Sequence, residues 1–347
     1  MSRIKLWTVL AEVLLSVGLA GCGGGGDEKL PQGPSSLSDG AQTMTYAMGT
    51  FGDPRVRIAD QQRYATQLSD AGFSTVIHAF VHVYPDASLV LNDTTIIYPD
   101  GTPNSDLLYL KDIYDRIKSS GKVRQILVSI GGGGGPPAQT DYNYSRIFNY
   151  VNLYPNLEKN PVFRNLLALR ANFGMDGIDL NFEPTGYAIN NMPPVVAAND
   201  QFADLLTKMT LWAKGHGMIV FATPWQHPDF WVKVLQRTRS ADGKQLVDSL
   251  NIQTYGGDDY HDFVDPMKLV DLGIANVENF VGVGYWCQGG DTANDVFSKI
   301  STLRKDYPGL NRAFMWQYGS MLPEPPVSAC ASSAKEYAQA ILDATKD

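Results

Sequence analysis

The feature of this 347-residue sequence that most restricts its fold is a regular alternation of short β-branched or aromatic runs with longer helical patterns. Such alternation is typical of repeated βα units around a parallel sheet. The candidate strands are Thr43–Met48, Thr75–Val81, Gln125–Ile130, Gly177–Asn181, Ile219–Ala222, Ser249–Thr254, Phe280–Val283 and Ala313–Trp316. The helical patterns are Arg57–Ala71, Leu107–Ser119, Pro161–Phe173, Gln201–His216, Asp229–Thr238, Pro266–Leu272, Asp295–Tyr307 and Ala334–Ala344. Eight strands, each followed by a helix, predict a single (β/α)8 TIM barrel.

A doubly wound open sheet is the alternative fold, but it requires a nucleotide-binding turn after the first strand. The segment Gly49–Asp53 lacks the glycine spacing of such a turn. Two longer segments, Tyr84–Asn104 and Gly131–Asn160, interrupt the alternation and are rich in Tyr, Asn, Asp, Pro and Gly. Because active sites of barrels lie on the loops at the carboxyl ends of the strands, we expect these segments to form walls of a cleft.

The N-terminus has the pattern of an export signal. Residues 1–22 begin with basic residues, continue through the apolar stretch Leu6–Leu19 and end in Leu-Ala-Gly-Cys at Cys22, which resembles a bacterial lipobox. The apolar stretch is shorter than the roughly 20 residues that span a bilayer. The sequence thus predicts lipidation of Cys22, a flexible tether over 23–40 and a catalytic domain over 41–347. A lipid anchor in the bacterial cell envelope, on the outer membrane, is the expected location and the only membrane contact.

Charge and composition exclude some classes of partner. The net charge is −8 and no cluster of Lys or Arg appears, so no nucleic-acid partner is expected. The five histidines show no ligand spacing, so neither a metal nor another cofactor is expected, and we expect a monomer. Cys287 and Cys330 follow the seventh and eighth candidate strands, which are neighbours in a barrel. A disulfide between them and two free thiols are both compatible with the sequence.

The most informative stretch runs through the fourth candidate strand, from Met175 to Pro184. Side chains alternate between the faces of a strand, so Asp179, Asn181 and Glu183 point one way and the apolar residues between them point the other. In a barrel the polar set faces the interior at the strand's carboxyl end. Burial and a neighbouring charge raise the pKa of a carboxyl, so Glu183 is expected to act as a general acid near neutral pH. The alternative is a set of ion-paired or helix-capping acids.

This stretch resembles the D-x-x-D-x-D-x-E signature of glycoside hydrolase family 18, the chitinases and endo-β-N-acetylglucosaminidases, with Asp176, Asp179 and Glu183 matching. Other segments resemble the family's remaining motifs. These are Ser129-Ile130-Gly131-Gly132 (S-x-G-G), Ala79-Phe80 on strand two, Gln253-Thr254-Tyr255 (Q-x-Y) on strand six, Trp316 on strand eight and Tyr46 on strand one. The resemblance covers nearly all of the chain from Thr43 onwards.

The resemblance implies a function and a set of site residues. It implies a retaining glycosidase that cleaves β-1,4 N-acetylglucosamine linkages, in which the substrate's own acetamido carbonyl attacks the anomeric carbon while Glu183 acts as acid and base. Asn181, Asp179 and Tyr255 are the other implied catalytic residues. The implied substrate-binding residues are Tyr46, Phe80, Asp176, Gln253 and Trp316, and the strand-end tryptophans Trp225 and Trp286 are candidate sugar platforms.

Asn181 departs from the family pattern, which has an aspartate at this position. An amide can accept a hydrogen bond from the acetamido N–H but cannot offset the positive charge that develops in the reaction. One interpretation is a weak or inactive barrel that binds N-acetylglucosamine-containing glycans as a lectin. The other is an active site similar to that of the family 85 endo-β-N-acetylglucosaminidases, whose pair is N-x-E. The sequence leaves open chitin oligosaccharides and the chitobiose core of N-glycans as substrates.

Overall fold

Eight parallel strands close into a barrel in the computed structural model, which describes residues 40–132, 140–184, 197–322 and 330–346. Including β3 and β4, which are antiparallel and lie outside the barrel, the strands of the described residues are β1 (Gln42–Met48), β2 (Thr75–Val83), β3 (Leu89–Leu91), β4 (Thr94–Ile97), β5 (Gln125–Gly131), β6 (Gly177–Phe182), β7 (Ile219–Pro224), β8 (Ser249–Ile252), β9 (Val281–Trp286) and β10 (Arg312–Trp316). Around the barrel the order is β1-β2-β5-β6-β7-β8-β9-β10, and β10 pairs with β1 to close the ring. The predicted (β/α)8 TIM barrel is confirmed.

Helices surround the barrel, and several of them follow a residue whose side chain accepts a hydrogen bond from a free backbone N–H group. The helices are α1 (Ile58–Ala71), α2 (Leu110–Lys118), α3 (Thr140–Leu153), α4 (Pro161–Phe173), α5 (Asp200–Gly215), α6 (Pro228–Arg237), α7 (Tyr260–Lys268), α8 (Val277–Phe280), α9 (Ala293–Asp306) and α10 (Ala334–Thr345). The Asn160 side chain accepts from the N–H of Val162 before α4, and Ser333 and Glu336 form a reciprocal capping box at α10. Local sequence therefore fixes where these helices begin.

Three parts of the prediction were wrong. The segment after β2 is not an open loop, because β3 and β4 form a hairpin that pairs with β2. The segment Gly131–Asn160 contains α3, on which Tyr144 and Ile147 are fully buried. The sixth helical pattern begins at Tyr260 rather than Pro266, because the Asp259 side chain caps the N–H of His261 and Pro266 falls within the last turn.

Two apolar layers hold the barrel together. The larger layer lies between strands and helices and contains Ile178, Leu180 and Phe182 from β6. The smaller layer fills the interior with side chains such as Tyr46, Phe221 and Phe314. Inward-pointing residues of parallel strands pack in this way in TIM barrels. The interior below the site is therefore filled, which leaves the carboxyl end of the barrel for a cavity.

The predicted signal segment 1–22, with Cys22, lies outside the described residues, as does the tether apart from Gly40. Within the ranges that the structure describes, none of the helices has both the length and the hydropathy needed to span a bilayer.

Candidate active site

The polar face of β6 points into the barrel, as expected from strand alternation. Asp179 is fully buried, Asn181 is 2% exposed and Glu183, just past the strand, is 5% exposed. The residues between them pack against the surrounding helices. One strand therefore carries three polar side chains at increasing height toward the carboxyl end of the barrel.

Asp179 lies at the bottom of this series and is held by hydroxyl groups from the two adjacent strands, β5 and β7, and from β1. Its carboxylate accepts hydrogen bonds from Ser129 Oγ at 2.6 Å, Thr223 Oγ1 at 2.7 Å and Tyr46 OH at 3.2 Å. Burial raises the pKa of Asp179 to about 6, and the three hydroxyl donors limit the rise. Each donor replaces a hydrogen bond that water would make, so the buried acid is satisfied within the protein.

Tyr46 was predicted to bind substrate, but it belongs to this lower layer. Its side chain is 1% exposed and its hydroxyl is also within hydrogen-bond distance of Thr223. Its ring lies 5.3 Å, centroid to centroid, from that of Trp316. Tyr46 thus supports the residues above it instead of lining the cavity.

Glu183 lies at the top of the series and has the properties of a general acid. Burial raises the pKa of its carboxyl to about 7, and hydrogen bonds from Gln253 and Asn181 lower it part of the way. Gln253 Nε2 donates to Glu183 Oε1 at 2.8 Å, and Tyr255 OH donates to Gln253 Oε1 at 3.1 Å. The pair Gln253–Tyr255 therefore fixes one oxygen of Glu183, and near neutral pH the carboxyl can give or take a proton.

Asn181 lies between the two acids and keeps a free hydrogen-bonding atom. Its Oδ1 is buried without a hydrogen-bond partner. Its side-chain amide makes the hydrogen bond to Glu183 that lowers the pKa of that carboxyl. A buried acceptor without a partner costs free energy, typically about 1–3 kcal/mol. Such an atom in the wall of a cavity is suited to accept an N–H group from a ligand.

A cavity of about 270 Å³ lies over these residues. Its lining residues are Phe80, Asn181, Glu183, Trp225, Gln253, Tyr255, Gly256, Trp286 and Trp316. The indole rings and Phe80 supply aromatic faces, on which the C–H faces of a sugar can pack. The indole Nε1 atoms of Trp225 and Trp286 are buried without partners, so each wall also offers a hydrogen-bond donor.

Trp316 forms the centre of the aromatic floor. Its ring centroid lies 5.5 Å from that of Phe80 and 6.4 Å from that of Tyr255, and both pairs are stacked. The Ala79–Phe80 and Trp316–Gln317 peptide bonds are cis. The structure thus places the sequence-predicted residues Phe80, Gln253 and Trp316 in the cavity wall.

Gly131 and Gly132, which follow Ser129 in the S-x-G-G segment, lie so close to site residues that a side chain would not fit at either position. A Cβ on Gly131 would lie 2.1 Å from the backbone oxygen of Asn181, and one on Gly132 would lie 2.1 Å from the Phe80 ring. Both residues also have positive φ, 107° and 79°. The S-x-G-G segment therefore has three local roles, since Ser129 holds Asp179 and the glycines admit Asn181 and Phe80.

Asp176, predicted to bind substrate, lies outside the cavity. It precedes the first residue of β6, whereas Glu183 follows the last, which separates them by about 23 Å along a strand that rises 3.3 Å per residue. Its Oδ2 accepts from Lys118 Nζ at 2.6 Å and from the N–H of Ile126 at 2.7 Å. Asp176 therefore joins two strands and α2 at the amino end of the barrel.

Cys287 and Cys330 are joined by a disulfide, with their Cα atoms 5.3 Å apart. Cys287 directly follows Trp286, and the N–H of Cys330 donates to the carbonyl of Ser320, shortly after Trp316. The bond therefore links the loops that follow β9 and β10, beside two of the cavity tryptophans.

Sequence reasoning missed Thr223 and Gly256 as parts of the site. Thr223 pairs in register with Asn181 on the neighbouring strand, so its position on the inward face was available from strand alternation. Gly256 has no side chain to indicate a role and lines the cavity through its backbone. Among the described residues, no group of three or more His, Cys, Asp or Glu is arranged to hold a metal ion.

A barrel with a buried acid in an aromatic cavity at its carboxyl end has the architecture of a glycosidase. The sequence matches the glycosyl hydrolases family 18 over residues 54–310, and the chain belongs to that family. A comparison with curated protein sequences gives no match.

Several solved structures share the fold at low sequence identity. The Ostrinia furnacalis Group IV chitinase in complex with allosamidin is 11% identical with a TM-score of 0.55, over 88% of this chain and 97% of that one. The Bacillus megaterium spore cortex-lytic enzyme SleL is 12% identical with a TM-score of 0.55, over 90% and 76%. A chitinase from Chromobacterium violaceum is 13% identical with a TM-score of 0.51, over 88% and 99%. At these identities the likeness establishes the shared fold.

Proposed function

We propose that this protein hydrolyses β-1,4 N-acetylglucosamine linkages with retention, using Glu183 as acid and base and the substrate's acetamido group as nucleophile. The observation that carries the proposal is the pairing of an acid whose pKa is about 7 with the unpartnered amide oxygen of Asn181 in one aromatic cavity. Membership of family 18 supports this class of reaction.

The absence of a second carboxyl from the described cavity wall favours a substrate nucleophile. Retaining glycosidases with a protein nucleophile place two carboxyl groups about 5–5.5 Å apart across the scissile bond. Among the described residues that line the cavity, Glu183 supplies the only carboxyl. Asp179 is fully buried beneath it, with its oxygens occupied by hydroxyl donors, so it cannot reach an anomeric carbon.

Asn181 then orients the nucleophile. Its Oδ1 accepts the acetamido N–H, which turns the acetamido carbonyl oxygen toward the anomeric carbon. When substrate binds, Tyr255 OH exchanges its bond to Gln253 Oε1 for one to that carbonyl oxygen. Glu183 gives its proton to the leaving oxygen and afterwards takes one from the water that opens the oxazoline ring. Because Asn181 is neutral, the ring intermediate is favoured in its neutral oxazoline form: its N–H proton passes to a solvent water, and the nitrogen takes a proton back from solvent when the ring opens.

A glycan-binding lectin is the second candidate, and the neutral side chain at Asn181 favours it. A carboxylate there would stabilise positive charge on the substrate in a water-poor site, and the amide supplies less of this stabilisation. Anchoring to the cell envelope through Cys22 is part of either proposal and is compatible with capture of soluble glycans.

Product release from a small glycan panel tests the proposal. The panel contains N-acetylglucosamine oligomers, mannose-rich N-glycans and, as a matched control, oligomers in which the 2-acetamido group is replaced by an amine or a hydroxyl. We expect the wild type to cleave only substrates with the acetamido group and to release a β-anomer, seen by NMR. Cleavage of the control oligomers would refute substrate assistance, and binding without cleavage of any substrate would leave the lectin.

The variant Asn181→Asp separates the two roles of Asn181. If the amide is adapted to the neutral intermediate, the variant is less active than the wild type, with binding of product oligomers unchanged. A higher rate in the variant would mean that the amide limits catalysis and would favour the lectin. Asn165→Asp, a buried amide on α4 whose side chain donates to the carbonyls of Ala87 and Pro99, is the control for adding a buried carboxyl away from the cavity.

A further inference from the structure

Asp258 lies in the loop between β8 and α7, outside the lining of the catalytic cavity. Its two carboxylate oxygens are 2.9 and 3.2 Å from the backbone nitrogen of Gln226, which donates to them. Gln226 belongs to the loop between β7 and α6 and directly follows Trp225, whose indole lines the cavity. One half-buried carboxylate therefore joins the loops that follow two neighbouring strands, beside a wall of the cavity.

The turn that Asp258 holds has an unfavourable backbone conformation. Gln226 and His227 have φ angles of 59° and 58°, in the left-handed region that residues other than glycine rarely adopt. The helix α6 follows directly, and the side chain of His227, its N-cap residue, makes no capping hydrogen bond. Backbone of this kind persists where surrounding contacts enforce it, and it is concentrated at functional sites. The bond from Gln226 to Asp258 is such a contact.

The position of this turn decides where the Trp225 indole lies. A Cβ on Gly256 would lie 3.9 Å from Trp225 Nε1, so the indole faces the backbone between Tyr255 and Asp258. The same Nε1 is buried without a hydrogen-bond partner and can donate to a ligand. A shift of the turn would move this donor relative to Tyr255, which lines the same cavity.

We propose that Asp258 is a positioning residue, which fixes the Trp225 wall of the cavity to the loop that carries Tyr255 and thereby sets how tightly substrate binds. This role rests on the proposed function and adds to it a residue that acts on substrate through Trp225. Because Gln226 is exposed, water would take the place of the carboxylate in Asp258→Ala, but water would not tie the two loops together. Asp258→Asn keeps an acceptor oxygen and with it the link.

The two substitutions also separate the link from the charge of Asp258. Burial raises the pKa of Glu183, and the negative charge of Asp258 adds to that rise. An effect of Asp258→Ala could therefore come from the lost charge. Asp258→Asn loses the same charge but keeps the link, so an effect confined to Asp258→Ala belongs to the link.

An adjacent residue offers the matched control. The exposed Asp259 likewise accepts from a backbone N–H, that of His261 at the start of α7, at 2.9 Å. Asp259→Ala thus removes the same kind of bond without touching the Trp225 turn.

Binding, catalysis and the indole itself are measured on the mature protein. KM and kcat, each at its optimal pH, are determined for the N-acetylglucosamine tetramer. Its Kd is determined by calorimetry on proteins that also carry Glu183→Gln. Fluorine NMR of protein labelled with 5-fluorotryptophan reports the Trp225 signal, which is identified by its loss in Trp225→Ala. The Kd of Asp258→Ala is measured again in the Trp225→Ala background, which completes a double-mutant cycle.

We expect Asp258→Ala to raise KM and Kd about fivefold or more, because a displaced indole loses its hydrogen bond and part of its stacking on the sugar. In this variant kcat should change by less than about twofold, and the Trp225 signal should shift or broaden. In the Trp225→Ala background the substitution should change Kd by less than about twofold. Asp258→Asn and Asp259→Ala should keep the wild-type Kd and Trp225 signal.

An unchanged Kd and Trp225 signal in Asp258→Ala would overturn the inference. So would an equal rise of Kd in Asp258→Asn, or a rise in Asp258→Ala that persists in full without Trp225. If the wild type cleaves the tetramer and any of these results is found, the positioning role fails and the hydrolase proposal stands. If the wild type binds the tetramer without cleaving it and Asp258→Ala weakens binding only when Trp225 is present, the hydrolase proposal fails and the positioning role stands.

Discussion

The two ends of β6 carry acids from the same sequence motif, yet their surroundings are opposite. At the amino end, Asp176 accepts from Lys118 and from the N–H of Ile126. At the carboxyl end, Glu183 has no cationic partner among its described contacts and sits in a cavity where burial raises its pKa to about 7. An ion-paired acid stabilises a fold, whereas a desolvated acid with a neutral amide partner is suited to proton transfer.

The difference follows from where the strand ends lie in a barrel. Residues at the amino end contact the helices and loops that complete the fold, and residues at the carboxyl end contact ligand. Asp176 and Glu183 are only seven residues apart in the sequence, yet one lies in the structural end of the barrel and the other in the cavity. A shared motif therefore does not imply a shared role, and each acid has to be tested separately.

The largest expected effect is on hydrolysis by Glu183→Gln. The amide keeps the shape of the side chain but cannot transfer a proton, so kcat should fall by about 10²–10⁴-fold. The measurement is initial rate on an N-acetylglucosamine oligomer, with binding of the product oligomer as the control for a folded cavity. Activity within tenfold of the wild type would place the acid elsewhere.

The next largest expected effect is the fall of kcat/KM on the alkaline side of the pH–rate profile (the alkaline limb). The protonated form of Glu183 is the active one, so kcat/KM should fall tenfold per pH unit above about 7. In Asn181→Asp a second carboxylate beside Glu183 disfavours its ionisation, and the limb should move to higher pH. Asp176→Asn should leave the limb in place. If Asp176→Asn shifted the alkaline limb and Asn181→Asp did not, the roles assigned to the two ends of β6 would be reversed.

The smallest effect on activity is expected at the amino end, where stability should change instead. Asp176→Asn loses the ion pair and weakens the bond to the Ile126 N–H, which should lower the free energy of unfolding by about 1–3 kcal/mol and change kcat/KM by less than twofold. Urea unfolding measures the first quantity. Asp115→Asn breaks the exposed Lys111–Asp115 pair and should leave the free energy of unfolding nearly unchanged, because solvent screens that pair.

The barrel itself was predictable because each of its strands carries its own hydrophobic period. All eight candidate strands are present, with ends that differ by up to three residues. The polar face of β6 was predictable for the same reason. The hairpin of β3 and β4 and the helix α3 were missed because their polar and aromatic composition suggested loops, although Tyr144 and Ile147 have the spacing of a buried helical face.

The roles of individual residues were less predictable, since they depend on height within the barrel and not on which face a side chain occupies. Tyr46 faces inward as expected, but it lies one layer below the cavity and bonds to Asp179. Whether the oxygen of Asn181 is occupied depends on groups from other strands that converge on it. Which groups of other strands meet around Asn181 cannot be inferred from any local pattern in the sequence.

The Cys287–Cys330 disulfide couples the arrangement of two cavity tryptophans to the redox conditions under which the chain folds. Cys287 and Cys330 tie together the loops that follow Trp286 and Trp316, while the barrel strands are held by their own ladders. Protein produced in a reducing cytosol would keep the barrel but leave these two loops independent of each other. In the proposed cell-envelope location an oxidising compartment would allow this bond to form, so export would act as a maturation step for ligand capture, separate from folding.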